Sequence, residues 1–263
     1  MSNSKPIGIF DSGVGGTSIW KEINALLPNE NTIYLADSAN APYGNKSVDE
    51  IISLSIKNTQ ILVEMECKII VVACNTATTN AISVLRDKFQ VPIIGVEPAI
   101  KPAALKSKTG NIGVLATKGT LSSILFLGAS KEYSKNINVV EIIGEGLVSL
   151  IEDGKVNSSE TYSLLERFLQ PMVNTNIDQL VLGCTHYPYL IPQIEKILPN
   201  NIKIIDSGEA VAKQTNSILQ RFGLLNKETI KPTLKFYTNS TTNTLELLLK
   251  SFSERIQIIQ KTN

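Results

Sequence analysis

The chain is sparing with the residues that most often carry chemistry or covalent staples. Its 263 residues include three cysteines, one histidine and one tryptophan. Three thiols are too few, and odd in number, for a disulfide framework, and they fit a reducing compartment. No C-x-x-C or H-x-x-x-H spacing is present, so a metal site is not expected. Charge of one sign is lacking too. Lys and Arg number 25 and Asp and Glu 24, for a formal charge of +1. With no basic block and no acidic tail, nucleic acid is not an expected partner. Long apolar runs are absent. The longest, such as IIVVA at 69–73, fall far short of the roughly 20 residues a membrane span needs. The start, MSNSKPIGIF, lacks the regions of a signal peptide. A cytoplasmic protein without a membrane partner is the expectation. Nothing in the sequence fixes the oligomeric state, and a homodimer is allowed.

What remains is an ordinary globular composition, 43% hydrophobic, long enough to bury a sizeable core without staples. Short apolar runs alternate with amphipathic stretches. Strands are predicted at 7–10, 32–37, 68–73 and 92–96, then at 111–117, 138–144, 179–183 and 202–207, with a last one in LKFYT at 234–238. Helices are predicted through SIWKEINALL, from a Ser47/Glu50 capping box onward, at about 78–89, near 118–127, 158–173 and 189–198, at 209–222, and in TLELLLKSF. This alternation argues for α/β architecture with mainly parallel sheets covered on both faces. A weak internal echo pairs VVACNT with LVLGCT and GIFDSG with KIIDSG. Such echoes occur in any α/β protein, or they mark two similar lobes that each bring one thiol to a shared cleft.

Cys74 and Cys184 each follow a predicted strand and precede a predicted helix. Ligands bind at the carboxyl ends of strands in open α/β sheets, and a helix start lowers a thiol's pKa. The alternative for any free cysteine is a small buried hydrophobe, which is the reading for Cys67. His186, two residues from Cys184, is placed to trade a proton with a thiol near neutral pH. DSGVGG at 11–16 lacks the spacing of a phosphate loop. It reads either as a flexible turn or as a backbone cradle for a carboxylate, with Asp11 facing a cation. APYG at 41–44 is a turn or a lid. Asn75, Thr76 and Thr185 are neutral hydrogen-bonding groups beside the thiols and suit a polar substrate.

Taken in order, GIFDSGVGG, YLADSANAPYGNKS, VVACNTAT, PIIGVEPAIKPA, IGVLATKGT, LVLGCTHYPYL and IIDSGEA resemble the glutamate racemases of the aspartate/glutamate racemase family over most of the chain. The resemblance implies two doubly wound α/β lobes with the active site in the cleft between them. The first lobe would be residues 1–98, the second 99–209, and 210–263 would return to the first. It implies cofactor-independent interconversion of L- and D-glutamate, which supplies D-glutamate for peptidoglycan. By the motif match Cys74 and Cys184 are the two acid/base residues, with Asp11, His186 and Glu152, joined by Asp37, as supporting groups. Asp11, Ser12, Tyr43, Gly44, Asn75, Thr76, Thr185 and His186 match substrate-binding positions, and Thr117 and Thr120 are candidates for the substrate carboxylate. One departure stands out. Many members carry a Cys-Pro pair shortly before the segment that holds Glu152, where this chain has Gly144 and Glu145. The other reading of Glu152 is an exposed helical glutamate.

Two thiols of matched acidity, one on each face of an α-carbon, would remove a proton from one side and supply one to the other. Without a cofactor to hold the carbanion's electrons, preorganised donors and exclusion of water would stabilise it. Three rivals stay open: a racemase for aspartate or another amino acid, a thiol hydrolase with Cys184 as nucleophile and His186 as base, and a non-catalytic small-molecule-binding protein.

Overall fold

The computed structural model describes residues 3–133, 137–228 and 230–261. Several of the predicted apolar runs become strands buried along their whole length. β1 (Ile7–Asp11), β2 (Thr32–Ala36) and β3 (Ile69–Val72) have no exposed residue. Such two-sided burial is the signature of parallel strands with helices on both faces. With β4 (Ile93–Gly95), β9 (Leu234–Thr238) and β10 (Gln257–Gln260) they form a six-stranded sheet in the order β10-β9-β2-β1-β3-β4. β5 (Asn111–Ala116), β6 (Asn138–Ile143), β7 (Gln179–Gly183) and β8 (Lys203–Ile205) form a second sheet in the order β6-β5-β7-β8. Every strand pairing among the described residues is parallel.

Both sheets reverse their winding at a central strand. β1 lies between β2 and β3, and β5 lies between β6 and β7. A crevice opens at the carboxyl ends of the strands where the order reverses. Cys74 follows β3 and Cys184 follows β7, so the VVACNT and LVLGCT echo marks equivalent places in the two sheets. The GIFDSG and KIIDSG echo does not, because β1 is central and β8 lies at an edge.

The chain leaves the first sheet between β4 and helix α4 (Ile100–Lys106), which packs on the second. It comes back between β8 and α10 (Gly208–Arg221), which packs on α1 (Thr17–Leu26). At these two crossings Ser207 Oγ donates to the Glu97 carbonyl at 2.6 Å. The returning segment is fixed by an aromatic cluster. Trp20 of α1 meets Phe236 of β9 edge-on at 4.8 Å and Phe252 at 4.9 Å, and Tyr34 stacks on Phe236.

Several expectations need correction. The helix after β3, α3 (Asn75–Lys88), starts three residues earlier than its composition suggests, because Cys74 itself is the N-cap and accepts from Ala77 N. Cysteine is not among the side chains that usually mark a cap. The helix expected at 118–127 is two, α5 (Lys118–Leu121) and α6 (Ile124–Tyr133). The six-residue α7 (Leu147–Glu152), seven-residue α4 and edge strand β10 were not anticipated; each is too short to show a period. The Ser47/Glu50 capping box is present and opens α2 (Val48–Glu64).

Candidate active site

The carboxyl ends of β1, β3, β5 and β7 converge on one cavity of about 250 Å³. Cys74 and Cys184 both line it, one from each sheet, together with Ser12, Tyr43, Gly44, Asn75, Thr76, Thr117, Thr185 and His186. Pro42, from the APYG stretch read as a turn or a lid, and Val148, which sequence reasoning did not single out, complete the wall. Asp11 and Thr120 stand behind the wall, each fully buried. Thr120 reaches the cavity only through Thr76 and Thr117, whose hydroxyls lie 3.3 and 3.0 Å from its own.

The two thiols have unlike surroundings. Cys74 Sγ lies 3.6 Å from Ser12 Oγ and takes the Ala77 N–H at 3.4 Å. Burial and then the Asp11 charge nevertheless push its thiol well above the ordinary range. A lowered value at a helix start was the expectation for this residue; here desolvation outweighs the cap. Cys184 does not begin an α-helix. It is followed by a 3-10 turn at 187–190, with Tyr187 N donating to its carbonyl. Its electrostatic partner is instead His186, whose Nδ1 lies 3.7 Å from Sγ.

His186 is almost completely buried. Burial alone would lower its pKa, but the bonds to Cys184 and Glu152, with the Cys184 and Asp11 charges, outweigh that and hold it well above the ordinary value. Nε2 lies 2.6 Å from Glu152 Oε1. Glu152 is therefore not an exposed helical glutamate: α7 ends on it and its side chain turns inward. Oε1 also accepts from Val14 N at 2.7 Å, and Oε2 from Ser38 Oγ at 3.0 Å. Val14 and Ser38 belong to the lobe opposite Glu152.

This explains the glycines of DSGVGG. The loop does cradle carboxylates, but they are the protein's own. Val14 N–H serves Glu152 and Gly16 N–H serves Asp11 Oδ2 at 2.8 Å. A Cβ on Gly13 would fall 1.9 Å from Glu152 Oε1, and one on Gly15 2.2 Å from His186 Nδ1. The second lobe closes onto bare backbone. Tyr34 OH braces the loop from below by donating to the Gly13 carbonyl at 2.9 Å. Burial first, against His186 and the Gly16 N–H, holds the Asp11 carboxyl above its usual range.

Asp37, proposed from sequence as a further supporting group, lies outside this cavity. It receives Tyr43 OH at 2.5 Å, Asn40 Nδ2 at 2.8 Å and Asn239 Nδ2 at 2.5 Å. Its contribution is to place the Tyr43 ring at the cavity wall. Cys67 is a small buried hydrophobe, its thiol pushed up to about 12 by burial. Among the described residues no group of three or more His, Cys, Asp and Glu is arranged to hold a metal ion. No described helix is long and apolar enough to cross a membrane.

Comparison with known proteins gives a consistent picture. Residues 7–215 match the family model described as Asp/Glu/Hydantoin racemase. The glutamate racemase of Herpetosiphon aurantiacus is 43% identical over 235 residues, covering 89% of this chain and 92% of that protein. A crystal structure of a glutamate racemase isoform from Bacillus anthracis superposes with a TM-score of 0.86 at 32% identity, covering 98% and 97% of the two chains. The Escherichia coli glutamate racemase, solved with L-glutamate and the activator UDP-MurNAc-Ala, gives 0.86 at 31% identity and 98% coverage of each chain.

Proposed function

The chain belongs to the Asp/Glu/hydantoin racemase family and is a racemase, an isomerase, and from that premise we propose that it interconverts L- and D-glutamate with two cysteines as acid and base. The observation that carries the reading is the pair of thiols, one from each sheet, on a single buried cavity with opposite electrostatic settings. In this reading residues 1–98 and 210–263 make one lobe and 99–209 the other.

A thiolate on Cys184 faces the His186 imidazolium, whereas a thiolate on Cys74 would face Asp11 in a dry site. Reaction of L-glutamate calls for Cys184 as the thiolate and Cys74 as the thiol. By family resemblance Cys184 serves the L-enantiomer. It takes the α-proton from one face, and Cys74 gives its proton to the other, leaving D-glutamate, a Cys184 thiol and a Cys74 thiolate. The reverse reaction restores the starting state, as does proton exchange with solvent. Ser12, Asn75, Thr76 and Thr185 supply fixed neutral dipoles for the substrate and the developing carbanion. The reaction uses no metal and no pyridoxal cofactor. Its product is a building block of peptidoglycan, which places the enzyme in cell-wall synthesis in the cytoplasm. A thiol hydrolase built on Cys184 and His186 would leave Cys74 without a task.

The test is racemisation in heavy water, with enantiomers separated by chiral chromatography and weighed at low conversion. Product carrying α-deuterium beside substrate still protonated is the expected result. Cys74→Ser and Cys184→Ser should each lower racemisation by at least about 10³-fold, since an alcohol is a far weaker acid than a thiol. Equal early deuterium in substrate and product would count against two separate bases. Turnover of aspartate equal to that of glutamate would overturn the substrate assignment.

A further inference from the structure

Beside the catalytic cavity lies a larger hollow. It is an open vestibule of about 820 Å³ and shares Pro42, Gly44, Thr117 and Val148 with the 250 Å³ cavity. The shared wall is thin and tightly apposed. Thr117 Oγ1 lies 2.8 Å from Thr76 Oγ1, and a Cβ on Gly44 would sit 3.0 Å from the Thr117 Cβ. An amino acid bound for the thiols through this wall would part Gly44 from Thr117 and would wait in the vestibule until that happens.

The vestibule wall carries two charged side chains, Lys118 after β5 and Glu145 after β6. Both are exposed, and neither has an ion-pair or hydrogen-bond partner among the described residues. Glu145 belongs to the Gly144–Glu145 pair that departs from the family pattern. Ile143 and Val148 lie beside the charges on the same wall. One cation and one anion on the wall of a single hollow complement a molecule that carries both a carboxylate and an ammonium.

We propose that this vestibule is a capture site for an amino-acid zwitterion, in which Lys118 holds a carboxylate and Glu145 the ammonium before the molecule passes between Gly44 and Thr117. The inference rests on the amino-acid racemase reading of the adjoining cavity. It assigns two side chains outside that cavity to substrate capture, with no part in the proton transfers.

The experiment is a titration of the ¹⁵N-labelled full chain with glutamate, repeated on Lys118→Gln and Glu145→Gln. Amide signals around Lys118 and Glu145 should shift along their own saturation curve, separate from signals at Ser12 and Thr185. That curve should disappear in either variant. At low ionic strength kcat/KM should fall about two- to fivefold in each variant, equally for both enantiomers, with kcat unchanged, and the loss should shrink in about 0.5 M salt. Shifts confined to the cavity, vestibule shifts that survive both substitutions, or a kcat that falls with kcat/KM would each overturn the proposal. Failure of the racemase reading would show differently: the unaltered protein would racemise no amino acid, while the titration would still decide whether the vestibule takes a zwitterion.

Discussion

Glu152 and His186 meet at 2.6 Å within the second lobe, and the same carboxylate is gripped by Val14 N–H and Ser38 Oγ from the first. The imidazole that faces Cys184 is thus held by a group whose own position depends on the lobes being together. Replacing Glu152 with Gln keeps the shape and removes the charge. The imidazolium then loses the support of that charge. Because His186 is the only histidine, its ring-proton resonance reports this directly. Its titration midpoint should lie well above 6.5 in the unaltered protein and drop in Glu152→Gln, with kcat reduced about 10- to 100-fold. An unmoved midpoint would show that the carboxylate does not hold the charge.

Gly15→Ala tests closure. The backbone at Gly15 is one that any residue adopts, so the new methyl costs nothing locally, but it would fall 2.2 Å from His186 Nδ1. Either the lobes part or the imidazole swings away, and a misplacement of about 1 Å can cost about 10²-fold in rate. The variant should melt close to the unaltered protein yet lose at least that much kcat/KM. A drop in melting temperature with activity intact would contradict the assignment.

Rising pH should erode stability through two groups in succession. The folded state holds His186 well above 6.5. The stabilisation this brings is therefore complete below pH 6.5 and is lost as pH climbs through the folded value. Cys74 follows from about pH 9, where an unfolded thiol ionises and the buried one does not. Both act in the same direction, because the folded state binds more protons than the unfolded one. Calorimetry between pH 6.5 and 9.5 should show a falling melting temperature, with a shallower slope in His186→Asn. Identical slopes would remove the histidine from the account.

Far from the cleft, Lys68 and Glu30 form an ion pair at 2.5 Å whose side chains are 1% and 3% exposed. Lys68 also donates to the Asn3 carbonyl, and Glu30 accepts from Asn226 N, so the pair ties four segments together. Lys68→Met strands a buried carboxylate and should cost about 3–5 kcal/mol, or roughly 10 °C of melting temperature. Changing both partners to apolar residues should recover much of that loss. A single substitution costing under about 1 kcal/mol would mean that the site admits water.

How far the site can be read in the sequence depends on what kind of atom makes each contact. The thiols were legible because side chains at strand ends announce themselves, and Ser47 and Glu50 because a cap has a fixed spacing. Glu152 emerged only through family resemblance, since nothing about a glutamate near the end of a six-residue helix says which way it turns. Val14 and Ser38 were missed. One contributes a backbone N–H, to which its side chain is no guide, and the other is a serine in a loop that offers no period. Cys74 was located correctly but its acidity was expected with the wrong sign, because burial and the nearness of Asp11 are properties of the folded chain.

The paired crossings near Glu97 and Ser207, bonded to each other at 2.6 Å, set the mechanics of the molecule. Two polypeptide spans fastened side by side act as a hinge pin. Any parting of the halves would be a rotation about that line, because two spans resist the sliding and twisting that a single tether would allow. Such a rotation would lift His186 from Gly15 and Glu152 from Val14 together. The spacing of the two thiols is thereby tied to one angle between the halves.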